Sequence, residues 1–332
     1  MFGCLGHKLG VKGFTSNPLN VKSGMIYIDL DSKNRSNIYN AYNNGASQII
    51  TNKSISDPSI PIIVVKDIET AYLALLNLAY EKPLEKINFV GIYGDNRGDL
   101  VTRMLDAIFA CYFSQPAIKK ELTNFTYALV SEKLKSIAEK FFYYILLCLS
   151  NNTSIIPLNY SIDLVRFESL IKPRYDCNIL IDECQTTDNI IYNNNSSKPF
   201  IINIDEPNIL QVINVENENI VITYGLNKKA AVTATSIEYD EITKFNYCLQ
   251  RTFYSKSGRI VEPFEVPISL KGLGINKIYS ALASISCALY YDIDLSCIKR
   301  ALDQVEDKDA LLLFDDDETN TYERIIELIL TH

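Results

Sequence analysis

Residues Gly91-Ile92-Tyr93-Gly94-Asp95-Asn96-Arg97-Gly98-Asp99-Leu100 have the spacing of a phosphate-binding turn. An apolar strand, Ile87-Asn88-Phe89-Val90, leads into Gly91, which is expected to open the turn. Beyond it, Leu100, Val101, Met104, Leu105, Ile108 and Phe109 recur at three- and four-residue spacing, as in a helix beginning near Asp99. Strand, glycine turn and helix together gather backbone N–H groups where an anion is favoured. Yet no lysine ends this turn and no Ser or Thr opens the helix; Gly98 and Asp99 stand there instead. A carboxylate about 4 Å from a phosphate oxygen costs roughly 4 kcal/mol at an effective dielectric near ~20. Asp99 is expected to cap the helix and take the amides that would otherwise face phosphate. Arg97 has two readings, a phosphate ligand or an arginine on a solvated turn.

Other residues able to do chemistry are sparse. Asp163, Asp182 and Glu183 form a candidate acidic crevice, because strand-end carboxylates often line the ligand crevice of an open α/β sheet. Solvated turn acids are the alternative reading of the same residues. The histidines are His7 and His332, and the eight cysteines include no CxxC pair. That argues against a Cys/His metal site and fits thiols kept in a reducing cytoplasm. A net charge of −8 with 22% charged residues argues against a nucleic-acid surface.

The elements that must position these residues follow an α/β rhythm. Residues 1–84 read as a small unit, with strands at 25–28, 47–51 and 60–65 and helices at 37–44 and 68–80. Glu81-Lys82-Pro83 marks its end. Residues 85–306 hold strands at 87–90, 125–130, 178–181, 200–204 and 220–224, separated by helices, which implies a mostly parallel sheet. The helix at 278–289 is rich in small residues suited to close packing, and 193–197 is a polar loop. Residues 307–332 supply a strand at 311–314, an acidic turn and a helix at 322–330. No secretory leader is expected, since residues 1–13 lack an apolar run. The longest apolar run, 141–149, is too short to span a bilayer and reads as a core helix rather than a partner-docking one.

In order and spacing, several segments resemble the Mur ligase family, most closely its UDP-N-acetylmuramoyl-tripeptide synthetase branch. Residues 17–27, from Asn17-Pro18-Leu19 through Val21 and Gly24 to Tyr27, resemble the amino-terminal Asp-Ser-Arg triplet and the Val-x-x-Gly segment after it. Asn44-Gly45-Ala46 also fits that domain. Gly91 to Leu100 stands where the family has Gly-Ile-Thr-Gly-Thr-Asn-Gly-Lys-Thr-Thr. Asn203-Ile204-Asp205-Glu206-Pro207 is similar to Asn-x-Asp-Asp-x, and Val221 to Gly225 to the strand and glycine that follow. Gly274 to Ser284 resembles Gly-x-His-Asn-x-x-Asn-Ala-Leu-Ala-Ala, and Leu313 to Asn320 the opening of the amino-acid domain.

The resemblance implies a small amino-terminal UDP-binding-like domain (1–84) and a central ATPase-like domain (85–306) with a mostly parallel, P-loop-NTPase-like sheet. Residues 307–332 are then a remnant of the carboxy-terminal ligase domain. It implies a reaction in which ATP phosphorylates a UDP-muramoyl carboxylate and an amine displaces the phosphate, with lysine and magnesium on the phosphates. A second metal is held partly by histidine. The departures point elsewhere. The phosphate loop, Gly91, Gly94, Asn96, Arg97, Gly98 and Asp99, is read as vestigial. So is the nucleotide and UDP region, Asn17, Asn203, Asp205, Lys277 and Ser280, where Pro18 and Leu19 replace Ser and Arg and Lys277 and Ser280 replace two Asn. The metal histidine is missing near Thr186 to Asn189, while Asp163 stands loosely where a metal-binding glutamate is expected. The expectation is a bacterial, cytoplasmic pseudoenzyme of peptidoglycan metabolism. It has no catalytic residue, metal or cofactor, or ATP and Mg if any, and acts on a protein partner such as an active cell-wall ligase. The alternatives are a Mur-type ligase with an altered site using Arg97 and Asp99 in new roles, and a non-catalytic sensor of a UDP-sugar or nucleotide.

Overall fold

The computed structural model describes residues 13–30, 34–55, 57, 59–80, 82–94, 97–113, 142, 145, 146, 148, 149, 153–160, 174–182, 198–206, 209 and 221–305. Asn96, Asp163 and Glu183 lie outside them, as do the strand expected at 125–130, the loop at 193–197 and the segment 307–332.

Short β-branched runs pair in parallel to make a first sheet of β1 (Gly13–Thr15), β2 (Met25–Ile28), β3 (Gln48–Thr51) and β4 (Ile62–Val64), in that spatial order. Helix α1 (Ser36–Asn43) connects β2 to β3. Helix α2 (Ile68–Ala79) starts at Asp67, whose side chain accepts from the N–H groups of Glu69 and Thr70. A cap of this kind contributes about 1 kcal/mol. The face of α2 carrying Ile68, Tyr72, Leu73 and Leu76 is buried. It shares one apolar cluster with Ile28 and Ile50 of the first sheet and with Phe89, Ile156 and Leu158 farther along the chain.

After a short helix α3 (Pro83–Lys86), the second sheet begins with β5 (Asn88–Tyr93), α4 (Gly98–Tyr112), β6 (Ile155–Tyr160), β7 (Tyr175–Leu180), β8 (Phe200–Asn203) and β9 (Val221–Tyr224). It continues through β10 (Val232–Tyr239), β11 (Ile242–Leu249), a small β12 (Phe253–Tyr254) and β13 (Ile260–Val261) ribbon, and β14 (Phe264–Lys271). Helices α5 (Ile275–Tyr290) and α6 (Leu295–Leu302) complete the described chain. The sheet order is β14-β11-β10-β9-β8-β7-β5-β6, parallel from β10 to β6 and antiparallel across β10, β11 and β14. Strands β5, β7 and β8 are buried on both faces, as parallel strands covered by helices must be. One face packs on Val101, Met104, Leu105, Ile108 and Phe109 of α4 and on the small side chains of α5. Each large apolar side chain fully buried this way stabilises the fold by about 1.5–3 kcal/mol.

Three expectations change. Gly91 does not open the turn, because β5 runs through it to Tyr93. It is glycine for packing: a Cβ there would lie 2.8 Å from the Tyr93 ring and 2.9 Å from Asn178 Oδ1. β6 was not expected, nor was the antiparallel edge. Phe142, Ile145 and Cys148 of the apolar run are helical and buried in the second cluster, in keeping with a core helix. Among the described residues, no helix is long and apolar enough to cross a membrane.

Candidate functional site

The sheet order reverses at β5, whose neighbours are β6 on one side and β7 on the other. In open α/β sheets the ligand crevice lies beyond the carboxyl ends of the strands at such a point. Here the crevice is bounded by the turn after β5, Asp182 after β7, Asp205 and Glu206 after β8, Gly225 after β9, and the first turn of α5.

Gly94 opens the turn with φ +153°, and a Cβ on it would meet Asp182 Oδ1 and Ile181 Cβ at 2.8 Å. Glycine is required on both counts. Arg97 is the N-cap residue of α4, with no side-chain cap hydrogen bond, and Gly98 is its first helical residue. The expected cap at Asp99 is therefore corrected. Asp99 sits inside the first turn, and its carboxylate accepts from Asn159 Nδ2 at 2.6 Å. A negative charge there is still favoured by the helix dipole. Gly98 packs so tightly on the same asparagine that a Cβ would fall 2.3 Å from Asn159 Oδ1. Asn159 is the penultimate residue of β6, a strand not expected from the sequence, and it is the site residue that the sequence did not reveal. Its signal is the apolar run Ile155-Ile156-Pro157-Leu158 just before a polar residue.

Arg97 is held inside the crevice by two carboxylates. One nitrogen, Nη2, donates to Asp182 Oδ2 at 3.0 Å and to Glu206 Oε1 at 2.6 Å. The side chains are 21%, 17% and 32% exposed, so none lies on a solvated turn. Burial alone would lower the guanidinium pKa, but the hydrogen bonds and charges of Glu206 and Asp182 outweigh it and raise it. Glu206, a member of the Asn203–Pro207 segment, is the second anchor of Arg97. Beside this cluster the Tyr224 hydroxyl is fully buried and has no hydrogen-bond partner among the described residues. Its pKa is raised, first by burial, with Arg97 opposing and Asp182, Glu206 and Tyr279 adding to the rise.

Asn203 and Asp205 are drawn into the scaffold. Asn203 is fully buried and donates from Nδ2 to the Ile181 carbonyl at 3.1 Å. Asp205 accepts from the backbone N–H groups of Leu226 at 2.5 Å and Asn227 at 3.1 Å, and from the Tyr279 hydroxyl at 2.8 Å. Burial, then the bond and charge of Asp205, push the Tyr279 pKa up. Ser280 is buried one residue further along α5, with its hydroxyl unpartnered among the described residues. Lys277 is half-buried in the first turn of α5. Asn17 stands apart, on the first sheet side, where its Oδ1 accepts from Leu19 N at 3.0 Å. The crevice thus brings together Gly94, Arg97, Asp182, Glu206 and Tyr224, with Asp205 and Tyr279 alongside. Gly98, Asp99 and Asn159 close its other end. Its carboxylates Asp182, Glu206 and Asp205 meet donors, whereas Asn159 Oδ1 and the Tyr224 and Ser280 hydroxyls have no hydrogen-bond partner among the described residues.

No protein-family model matches the chain. A UDP-N-acetylmuramoyl-L-alanyl-D-glutamate–2,6-diaminopimelate ligase of Caldanaerobacter subterraneus subsp. tengcongensis is 23% identical over 313 residues, covering 90% of this chain and 59% of that protein. The enzyme of the same name from Clostridium botulinum is 24% identical over 291 residues, covering 80% and 56%. The chain therefore spans little more than half the length of these two relatives. A solved UDP-N-acetylmuramoyl-L-alanyl-D-glutamate–2,6-diaminopimelate ligase superposes with a TM-score of 0.63 at 14% identity, over 89% of this chain and 63% of that one. At that identity the superposition speaks for the fold alone.

Proposed function

We propose that the chain, similar in sequence to Mur ligases, is a member of that family that acts by binding rather than by ligation. Its role is that of a scaffold or regulatory partner in bacterial cell-wall precursor metabolism, in the cytoplasm, where free thiols such as its own persist. The observation that carries this reading is the closed end of the phosphate turn. Gly98 stands where the family lysine is expected, and Asn159 Oδ1 occupies the space beside it, 2.3 Å from any Cβ. Asp99 stands where the magnesium-holding Thr is expected, and it is bound to the same asparagine at 2.6 Å.

These residues do not fit a magnesium-bound nucleotide. The lysine that places a positive charge on the β/γ-phosphates is replaced by a glycine, and the hydroxyl by a repelling carboxylate. Arg97 is the remaining cation of the turn, and two carboxylates already neutralise it. The same commitments weigh against an altered-site ligase built on Arg97 and Asp99. Titration calorimetry of the full chain with Mg-ATP is expected to give no binding heat. Tight binding accompanied by phosphate release would overturn the proposal. Thermal-shift measurements with UDP-muramoyl peptides and nucleotides separate a scaffold, which shows no shift, from a sensor, which does.

A further inference from the structure

The first sheet leaves one edge open. Strand β4 (Ile62–Val64) ends the order β1-β2-β3-β4 and has no second strand neighbour among the described residues. Its neighbour β3 takes one side of its backbone: Ile49 N donates to the Pro61 carbonyl at 2.8 Å, and Val65 N to the Thr51 carbonyl at 2.9 Å. In that register residues 61, 63 and 65 turn their backbone groups toward β3, while Ile62 and Val64 turn their N–H and C=O groups outward. Pro61, which has no N–H, falls on the side where only its carbonyl is used.

The side chains of this edge are not those of a blunted one. Natural sheets protect such edges with lysines, inward-pointing charges or a covering element. Residues 60–65 read Ile-Pro-Ile-Ile-Val-Val, without a charge. Ile63 is 41% and Val64 60% exposed, and as neighbours in a strand they project from opposite faces. The other edge of the sheet, β1, has no exposed residue.

We propose that β4 is a self-association edge, at which two copies of this chain join their first sheets into one. Antiparallel pairing about a two-fold axis through Ile63 sets Ile62 opposite Val64 of the second copy, and Val64 opposite its Ile62. Both pairs use outward backbone groups, and each exchanges an N–H and a C=O in both directions. Val64 then lies across from the half-buried Ile62 on one face, and Ile63 meets its own copy on the other. Exposed Lys66 lies beyond one end of the strand, and the exposed Asp57, in the turn before it, beyond the other. The two-fold axis therefore brings opposite charges to both ends of the contact. A strand of different sequence would meet the backbone groups but not these self-matching pairs, and an isologous contact of this kind closes at two copies. The contact is small, so the dimer is weak and concentration-dependent. The edge belongs to the first sheet and the crevice to the second, so this pairing goes beyond the binding reading and does not depend on it.

The test is sedimentation velocity of the full chain over a range of concentrations, with circular dichroism confirming the fold. Wild type is expected to shift from monomer toward dimer as concentration rises, and Val64→Lys to lose that shift. Residues facing each other in a non-hydrogen-bonded antiparallel pair have Cα atoms about 4.5 Å apart, a span that a disulfide bridges. Ile63→Cys is therefore expected to give a disulfide-linked dimer under mild oxidation, whereas wild type and Leu19→Cys, exposed but outside β4, are not. Crosslinking needs no Val64 variant, so it decides the matter where Val64→Lys does not fold. A wild type that stays monomeric at every concentration overturns the proposal. So does a dimer that survives in folded Val64→Lys, or Leu19→Cys crosslinking as fast as Ile63→Cys. None of these measurements uses a nucleotide, so binding of Mg-ATP would sink the functional reading separately.

Discussion

Replacing Gly98 by alanine isolates the closed end of the turn. The substitution adds one methyl group at the first helical residue of α4. On an ordinary helix that change is stabilising, by up to about 1 kcal/mol. Here the new Cβ would lie 2.3 Å from Asn159 Oδ1, 2.9 Å from its Cγ and 3.0 Å from its Nδ2. Ordinary contact needs roughly 3.5–4 Å, so the amide must retreat by more than ~1 Å. It cannot do so without stretching the 2.6 Å bond from Nδ2 to the Asp99 carboxylate, and a hydrogen bond to a charged group contributes about 1.5–3 kcal/mol. Overpacking of this kind costs about 1–3 kcal/mol. Offset by the helix propensity of alanine, Gly98→Ala is expected to destabilise by about 1–2 kcal/mol. Asn159→Ala alone loses the Asp99 bond, about 1.5–3 kcal/mol. The double variant should be no worse than Asn159→Ala, because the clash disappears with the amide. Urea unfolding of the four proteins closes the cycle, with the slopes compared so that a change in compactness is not mistaken for stability. Equal or greater stability of Gly98→Ala, or a double variant as unstable as the sum of the singles, refutes the argument.

Two further outcomes follow from neighbouring carboxylates. Asp205→Asn keeps the shape but loses the charge that receives Leu226 N, Asn227 N and Tyr279 Oη; a loss of about 1–3 kcal/mol is expected in urea unfolding, with faster amide exchange at residues 226 and 227. Asp176 is buried and meets Lys256, Lys198 and the Tyr291 hydroxyl. Burial raises its pKa, but Lys256 first, then Lys198 and Tyr291, outweigh that and leave it lowered from 3.8. A lowered folded-state pKa means stability that is present above the unfolded value and lost as pH falls through the folded one. Asp176→Asn is therefore expected to cost about 1–2 kcal/mol at neutral pH, since both lysines are partly exposed. Its deficit relative to wild type should shrink below pH ~4 as Asp176 itself is neutralised. A deficit unchanged from pH 7 to pH 3 would reject the ion-pair account.

Much of the fold was legible because buried parallel strands and amphipathic helices write their period into the chain. Residues 178–181 and 200–204 are apolar runs that became β7 and β8, and the spacing of Val101, Met104, Leu105 and Ile108 became the inner face of α4. The antiparallel edge was legible in principle: Thr243, Phe245, Tyr247 and Leu249 alternate with exposed or half-exposed neighbours in β11, and Ile268 and Leu270 do so in β14. Lys, Asn and Glu between them dilute the apolar density that the reading relied on. At the site, the positions were legible and the partnerships were not. Glycine at 91 signals a turn by type alone, and only the approach of Tyr93 and Asn178 shows that it serves packing.

The residues of the site depend on one another. Gly98, standing where the resemblance implies a lysine, leaves space at the turn, and Asn159 of β6 fills it, with its oxygen over the glycine and its nitrogen on Asp99. Asp99 would be repelled by a phosphate, yet it is satisfied by the asparagine and by the helix start. Asp182 and Glu206 bring two acids into a half-buried crevice, and Arg97 answers both from one nitrogen. Each replacement thus supplies what its neighbour lacks. A single substitution, such as Gly98→Lys, would meet Asn159 on one side and leave Asp99 and the Arg97 cluster in place. Removing a charged member from such a set costs more than exchanging the set as a whole, because the partners stay behind unpaired. The crevice therefore holds together through its paired charges, and on the binding-only reading, phosphate binding would require changing positions 97, 98, 99 and 159 together.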